Sequence, residues 1–273
     1  MKKFRILFLV LSAFSFASCE EVVDVNLKTA QPQLVISAAI QWEKGTEGNR
    51  QVIKLSTTSN YFDNEIPAVS GATIYVTNSD QEIFNFIEDS DTGEYICTNF
   101  KPVLNETYTL VINNAGNTYT ATETLKSVAP ITKIVQNNNG SITKDKIEVK
   151  AYFIDPPDQK NYYFYSYQYS NRPTGNHSAE EDRFFQGNEF FSVSYNDELK
   201  EGDQVEIQHS GISEDYYNYL CIIISLAGES GRLPFQSPPA PVRGNILNIT
   251  NSNDHPLGFF SLSETDSRKY TIQ

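Results

Sequence analysis

Residues 72–112 read ATIYVTNSDQEIFNFIEDSDTGEYICTNFKPVLNETYTLVI, and this stretch decides the fold class. Four runs rich in β-branched and aromatic residues, Ala72–Thr77, Ile83–Ile87, Tyr95–Cys97 and Tyr108–Ile112, are each too short for a stable helix. Asn-Ser-Asp and Asp-Thr-Gly punctuation between them is what tight turns require, so the stretch predicts consecutive hairpins. Asp89-Ser90-Asp91-Thr92-Gly93-Glu94 has the look of a cation loop, but Thr92 precedes the glycine and position twelve is Phe100. An EF-hand needs a third side-chain ligand before its glycine and a glutamate at position twelve, so a hairpin turn is the reading.

Working outward, Leu34–Ile40 and Val52–Ser56 precede the stretch, and Thr118–Thr124 follows it. Short strands this closely spaced predict an antiparallel sandwich over residues 33–128. A boundary is expected at Ala129-Pro130 and the polar run Asn137–Gly140, which flank a strand at Ile131–Val135. Beyond it, strands are expected at Ile147–Phe153, Tyr162–Tyr169, Phe190–Tyr195 and Val205–Gln208, with a turn at Asp155-Pro156-Pro157-Asp158. Tyr217, Leu220, Cys221 and Ile224 instead recur at helical spacing. Ser213 as N-cap, Glu214 and Asp215 in the first turn and Gly228 as a stop bound one helix, 214–227. Pro234–Pro241 reads as an extended connector. The expected architecture is all-β: two antiparallel β-sandwich domains, an Ig-like or prealbumin-like one at 33–128 and a β-rich one at 129–273 that carries one short helix.

The first eighteen residues read as an export leader. Lys2, Lys3 and Arg5 precede the apolar run Ile6–Phe16, about half the length that spans a bilayer. Ala17-Ser18-Cys19 closes that run as a lipobox, so Cys19 is the expected lipidation site, with residues 19–32 as a tether. Acyl chains contribute about 0.8 kcal/mol per buried methylene, which makes a multiply acylated cysteine a stable anchor in the outer membrane. Three of the 21 basic residues leave with the leader, so 18 face 34 acidic ones, a net charge of −16 that repels nucleic acid. Of the other cysteines, Cys97 and Cys221 both lie in apolar runs and are expected as buried free thiols.

Glu20 and Glu21, with Asp24 shortly after, form an acidic cluster behind the lipid site. It resembles the signal that sends lipoproteins of Bacteroidetes-type bacteria to the cell surface, which implies exposure on the cell exterior. The segment Val69–Tyr119 is similar to the prealbumin-like, carboxypeptidase-regulatory-like module, through Gly71-Ala72-Thr73, Asp91-Thr92-Gly93-Glu94-Tyr95 and Tyr108-Thr109-Leu110. The whole chain resembles the Bacteroidetes lipoproteins catalogued as domain of unknown function 4249. The residues concerned are Cys19–Asp24, Leu34-Val35-Ile36, Val69–Thr73, Asp155-Pro156 with Asn161-Tyr162-Tyr163, Gly244-Asn245-Ile246, and Leu257-Gly258-Phe259-Phe260. That resemblance implies an accessory role at a TonB-dependent receptor and supplies no catalytic residues.

No zinc, nucleotide or nucleophile-elbow motif occurs, and His177, His209 and His255 read as sitting in polar surroundings without a second ligand at metal spacing. Neither metal, cofactor nor enzymatic activity is expected. The leading expectation is a binding or accessory lipoprotein whose candidate contacts to a TonB-dependent barrel are Phe184, Phe185, Phe190, Phe191, Pro238 and Pro239, although core or edge packing is the commoner role of such phenylalanines. A surface glycan- or matrix-binding adhesin is the alternative, using Tyr163, Tyr165, Tyr167 and Tyr169 as a stacking face, although such a run is more often a buried strand. A hydrolase is a third possibility.

Overall fold

Alternation sets the first strand: Ile36, Ala38 and Ile40 are buried while Ser37, Ala39 and Gln41 face solvent. The same two-residue period recurs in the strands of the first half of the computed structural model, which describes residues 31–60, 63, 65–140, 146–227 and 242–273. The strands of the first half are β1 (Leu34–Glu43), β2 (Gln51–Thr57), β3 (Thr73–Thr77), β4 (Ile83–Glu88), β5 (Glu94–Cys97), β6 (Thr107–Asn114) and β7 (Asn117–Thr124). Then come β8 (Lys133–Gly140), β9 (Lys146–Ile154), β10 (Tyr162–Tyr169), β11 (Arg172–Glu181), β12 (Glu189–Asn196) and β13 (Gln204–Ile212). The helix α1 (Glu214–Ala227) follows, then β14 (Leu247–Asn248) and β15 (Leu257–Thr271). The protein is thus mostly β and sandwich-like, with one helix among the described residues.

Twelve strands form one sheet in the order β11-β10-β13-β15-β1-β2-β5-β4-β3-β6-β7-β14, and β12-β9-β8 form a second. The β1–β15 pair is parallel, with Val35 opposite Leu257 and Glu43 opposite Thr265. The other strand pairs are antiparallel. Gly258 permits the close approach of β15 to β1. Its φ is +109°, and a Cβ there would lie 1.9 Å from the Ile36 carbonyl oxygen. The Asp89–Glu94 turn is a hairpin turn, closed by the Asp89 N–H donating to the Glu94 carbonyl at 2.8 Å.

Two main cores result. The first gathers the inward faces of β1–β7 and takes Ile246, Phe260 and Leu262 from the far end of the chain. The second packs Tyr163, Tyr165, Tyr167 and Tyr169 against Val149, Phe153, Val205 and Ile207. A small third cluster seats Leu220 of α1 on Tyr162 and Ile212.

Several expectations change. The polar run Asn137–Gly140 is not a loop but the end of β8. The residues before β8 are buried backbone: the Val128 N–H donates to Glu264 Oε2 at 2.9 Å and the Ile131 N–H to Asp266 Oδ2 at 2.6 Å. Strands β11 and β15 have no counterpart in the sequence reading, because both are predominantly polar. Cys97 is a buried free thiol, as expected, whereas Cys221 is free but exposed. Helical spacing puts Cys221 beside Leu220, but the buried face of α1 centres on Tyr216, Tyr217 and Leu220, which pack on Phe259, Tyr162 and Ile212.

Candidate functional site

The connection from β11 to β12 is a short, heavily anchored turn. Asp182–Phe184 make one turn of 3-10 helix, and the Phe185 N–H closes it on the Asp182 carbonyl at 2.8 Å. Gly187, with φ +73°, reverses the chain. Two buried carboxylates hold this turn to the Asp155–Asp158 turn. Asp182 Oδ2 accepts the Asn161 N–H at 2.6 Å, and Asp155 Oδ2 accepts the Gly187 N–H at 2.9 Å. Asp155 Oδ1 takes the Tyr163 hydroxyl and, at 3.4 Å, the Asn161 amide. The Asp155 N–H donates in turn to the Asn188 carbonyl at 3.0 Å. Burial pushes the Asp155 carboxyl above its ordinary range, and burial beside Asp155 raises the Tyr163 phenol, which stays a protonated donor.

Four phenylalanines were expected to be contacts here, and the backbone treats them differently. Phe185 is buried and stacks on Phe190, ring centroids 3.8 Å apart, with the Phe153 edge 6.0 Å from Phe185. Phe185, which closes the 3-10 turn, and Phe190, on the inner face of β12, are therefore core packing and not partner contacts. Phe191, one residue on, turns to the opposite face of the sheet, where its ring lies 5.3 Å from Tyr152. Phe184 alone is bare, at 89% exposure. Leaving such a ring in water forgoes about 1.5–3 kcal/mol of burial.

The second sheet presents an outer face that sequence reading did not single out. Cross-strand register aligns Phe191 with Tyr152 and Tyr152 with Lys133, and the next row aligns Val193, Lys150 and Val135. Lys133 Nζ sits 4.3 Å from the Tyr152 ring centre and Lys150 Nζ 4.7 Å from that of Phe191. Ile154 (58% exposed), Val135 and Tyr195 extend the face. The signal was present as the alternation Lys150-Ala151-Tyr152-Phe153-Ile154, but only the register across β12, β9 and β8 joins it into one surface.

The other candidates fall elsewhere. Tyr163, Tyr165, Tyr167 and Tyr169 lie on the core side of β10, at most 6% exposed, so they offer no stacking face to a glycan. Three of their hydroxyls are spent inside, that of Tyr163 on Asp155 and those of Tyr167 and Tyr169 on Ser192 and Ser194, while that of Tyr165 is buried without a partner. His209 is not in polar surroundings but fully enclosed by aromatic rings. Among the described residues no group of three His, Cys, Asp or Glu is arranged to hold a metal ion. Cys19, Glu20, Glu21, Asp24, Pro238 and Pro239 lie outside the described residues.

A family model described as Domain of unknown function (DUF4249) matches residues 20–269. The chain belongs to that family. No curated protein matches the sequence. Among solved structures, this DUF4249 chain is similar to a two fibronectin type-III domain segment of chicken tenascin, with 13% identity and a TM-score of 0.21 over 66% of this chain and 90% of that one. It is also similar to a DUF4785 family protein from Legionella pneumophila, with 6% identity and a TM-score of 0.26 over 64% and 51% of the two chains. The DUF4249 residues quoted above have structural work in this chain: Asp155, Asn161 and Tyr163 build the knot beneath Phe184. The Asn245 amide brackets Phe260, accepting its N–H at 2.9 Å and donating to its carbonyl at 2.8 Å.

Proposed function

We propose that this DUF4249 protein is a non-enzymatic, lipid-anchored lipoprotein of the outer membrane, and that it faces the cell exterior as an accessory subunit of a TonB-dependent receptor.

 The leader and the acidic Glu20-Glu21 pair support the address, and the family resemblance supports the partner. The observation that carries the mode of action is Phe184. A ring 89% exposed, on a turn held by two buried carboxylates, loses little conformational entropy when a partner covers it. The barrel docks on Phe184 and on the aromatic and lysine face formed by Tyr152, Phe191, Lys133 and Lys150. Aromatic anchors are a composition that protein interfaces favour, and a polar, charged rim around them is the usual border. A photo-crosslinking residue at position 184, activated on whole cells, tests this: the expected product joins the lipoprotein to an outer-membrane barrel. Crosslinks confined to lipid or to other copies of the same chain would contradict the reading.

A further inference from the structure

We propose that β12 is an open docking edge at which a protein partner adds one extended strand to the second sheet. The second sheet ends at β12, which the Tyr167 and Tyr169 hydroxyls of β10 tie down through Ser192 and Ser194, whereas the main sheet beneath continues to β11. Register puts Asn176, Ser178 and Glu180 of β11 on the same face as Tyr167, Tyr165 and Tyr163. The tyrosines are buried, but Asn176 and Ser178 are only half-buried and Glu180 is exposed, because no described strand covers them. Beside β12 lies a slot of about 290 Å³, lined by Tyr167, by Asn176 and Ser178, and by Val193, Ser194 and Tyr195.

The β12 side of the slot is unpaired backbone. The Asp155 N–H donating to the Asn188 carbonyl marks one hydrogen-bonded pair of the β9–β12 ladder, and alternation turns Phe190, Ser192 and Ser194 toward β9. The N–H and C=O groups of Phe191, Val193 and Tyr195 point away, and β12 has no second neighbour among the described strands. The Asn176 amide alone among the described residues reaches them, donating to the Tyr195 carbonyl at 3.4 Å. Natural edges are guarded by charge or proline, as β11 is by Arg172-Pro173 and Glu180-Glu181, but β12 carries neither from Phe190 to Tyr195. The width of the gap selects the occupant. A second copy paired antiparallel through β12 would bring its own β11 into the space of β10. A parallel pairing about an axis along the strands would turn the copy's Phe191 and Val193 onto Glu180. A single extended segment fits, with polar or basic side chains over Asn176, Ser178 and Glu180 and apolar ones continuing the Tyr152 and Phe191 row. The edge shares Phe191 with the docking reading above but not Phe184, so a failed crosslink at position 184 and a failed pairing at β12 are separate results.

Amide exchange followed by NMR on the full chain in mild detergent is the test, with a synthetic peptide in which valine and tyrosine alternate with lysine and serine as the probe. The peptide should slow exchange tenfold or more at Phe191, Val193 and Tyr195 and leave Phe190, Ser192 and Ser194, already bonded to β9, unchanged. Val193→Pro removes an outward N–H and no ladder bond, so it should weaken peptide binding tenfold or more at an unchanged melting temperature. Val193→Lys, a guard of the kind other edges carry, should do the same. The peptide methylated at every backbone nitrogen should not bind. No binding, equal binding of the methylated peptide, or protection that misses the three outward amides would overturn the proposal. So would protection of those amides in a dimer without peptide, which would make a second copy the occupant.

Discussion

His209 sits inside an aromatic cage, its ring centre 4.4 Å from that of Phe153 and 4.9 Å from those of Tyr163 and Tyr165. Neither ring nitrogen has a hydrogen-bond partner, and burial pushes the imidazole down to about 3. The unfolded chain binds this proton below about pH 6.5 and the folded chain does so only near 3. Stability therefore rises with pH across that window, is fully present above about 6.5, and is lost as pH falls towards 3. His209→Leu should remove a few kcal/mol of this pH dependence, seen as a flatter difference between urea denaturation at pH 4 and at pH 7. An unchanged difference would place the proton elsewhere. The sequence shows His209 between Gln208 and Ser210, which reads as polar, and the cage comes from β9 and β10, far away along the chain. The same non-locality hid the division of labour in Phe184-Phe185 and Phe190-Phe191. Their composition announced an apolar contact, but which ring is bare depends on the strand register and on the Asp155–Asp182 knot.

Elements with a strong local code were legible. Helix α1 runs from Glu214 to Ala227 as its spacing predicts, and the Ser213 hydroxyl accepts the Tyr216 N–H at 3.2 Å as an N-cap. Strands β1, β2 and β10 are likewise close to their expected limits. Strand β15 was not legible because Ser261, Ser263, Glu264, Thr265 and Asp266 are all buried, a pattern that hydrophobic periodicity cannot register. What makes their burial tolerable is tertiary pairing. Glu264 accepts the Val128 N–H and lies 2.8 Å from Lys44, while Asp266 accepts the Ile131 N–H and lies 2.6 Å from Arg268. Glu264→Ala should cost about 3 kcal/mol, because it strands a buried N–H and an ammonium together, and Glu264→Gln about half of that. Equilibrium urea unfolding of both variants checks the order. Equal, negligible losses would mean that the 126–131 segment is not held from β15.

At the scale of the whole molecule, the parallel β1–β15 pair brings opposite ends of the described chain into one sheet, and the first core is completed by Ile246, Phe260 and Leu262. A fragment of residues 33–128 lacks all three and should fail to give a dispersed amide spectrum by NMR, whereas a native-like spectrum would show that the first core closes without β15. Composition and turn signals reported the β class and the sandwich-like packing. They could not report that a C-terminal strand threads between the two halves, since that pairing has no local signature. The molecule that results presents one bare aromatic anchor on a turn made rigid by buried carboxylates, and docking through that anchor is the central claim. It is tested most directly by extracting the native protein from membranes in mild detergent, with Phe184 intact or replaced by serine, and quantifying any TonB-dependent barrel that co-purifies. The account predicts a barrel in stoichiometric amounts with the wild-type protein and a tenfold or greater loss with Phe184→Ser at an unchanged melting temperature. Equal recovery with both proteins, or no barrel with either, would contradict it.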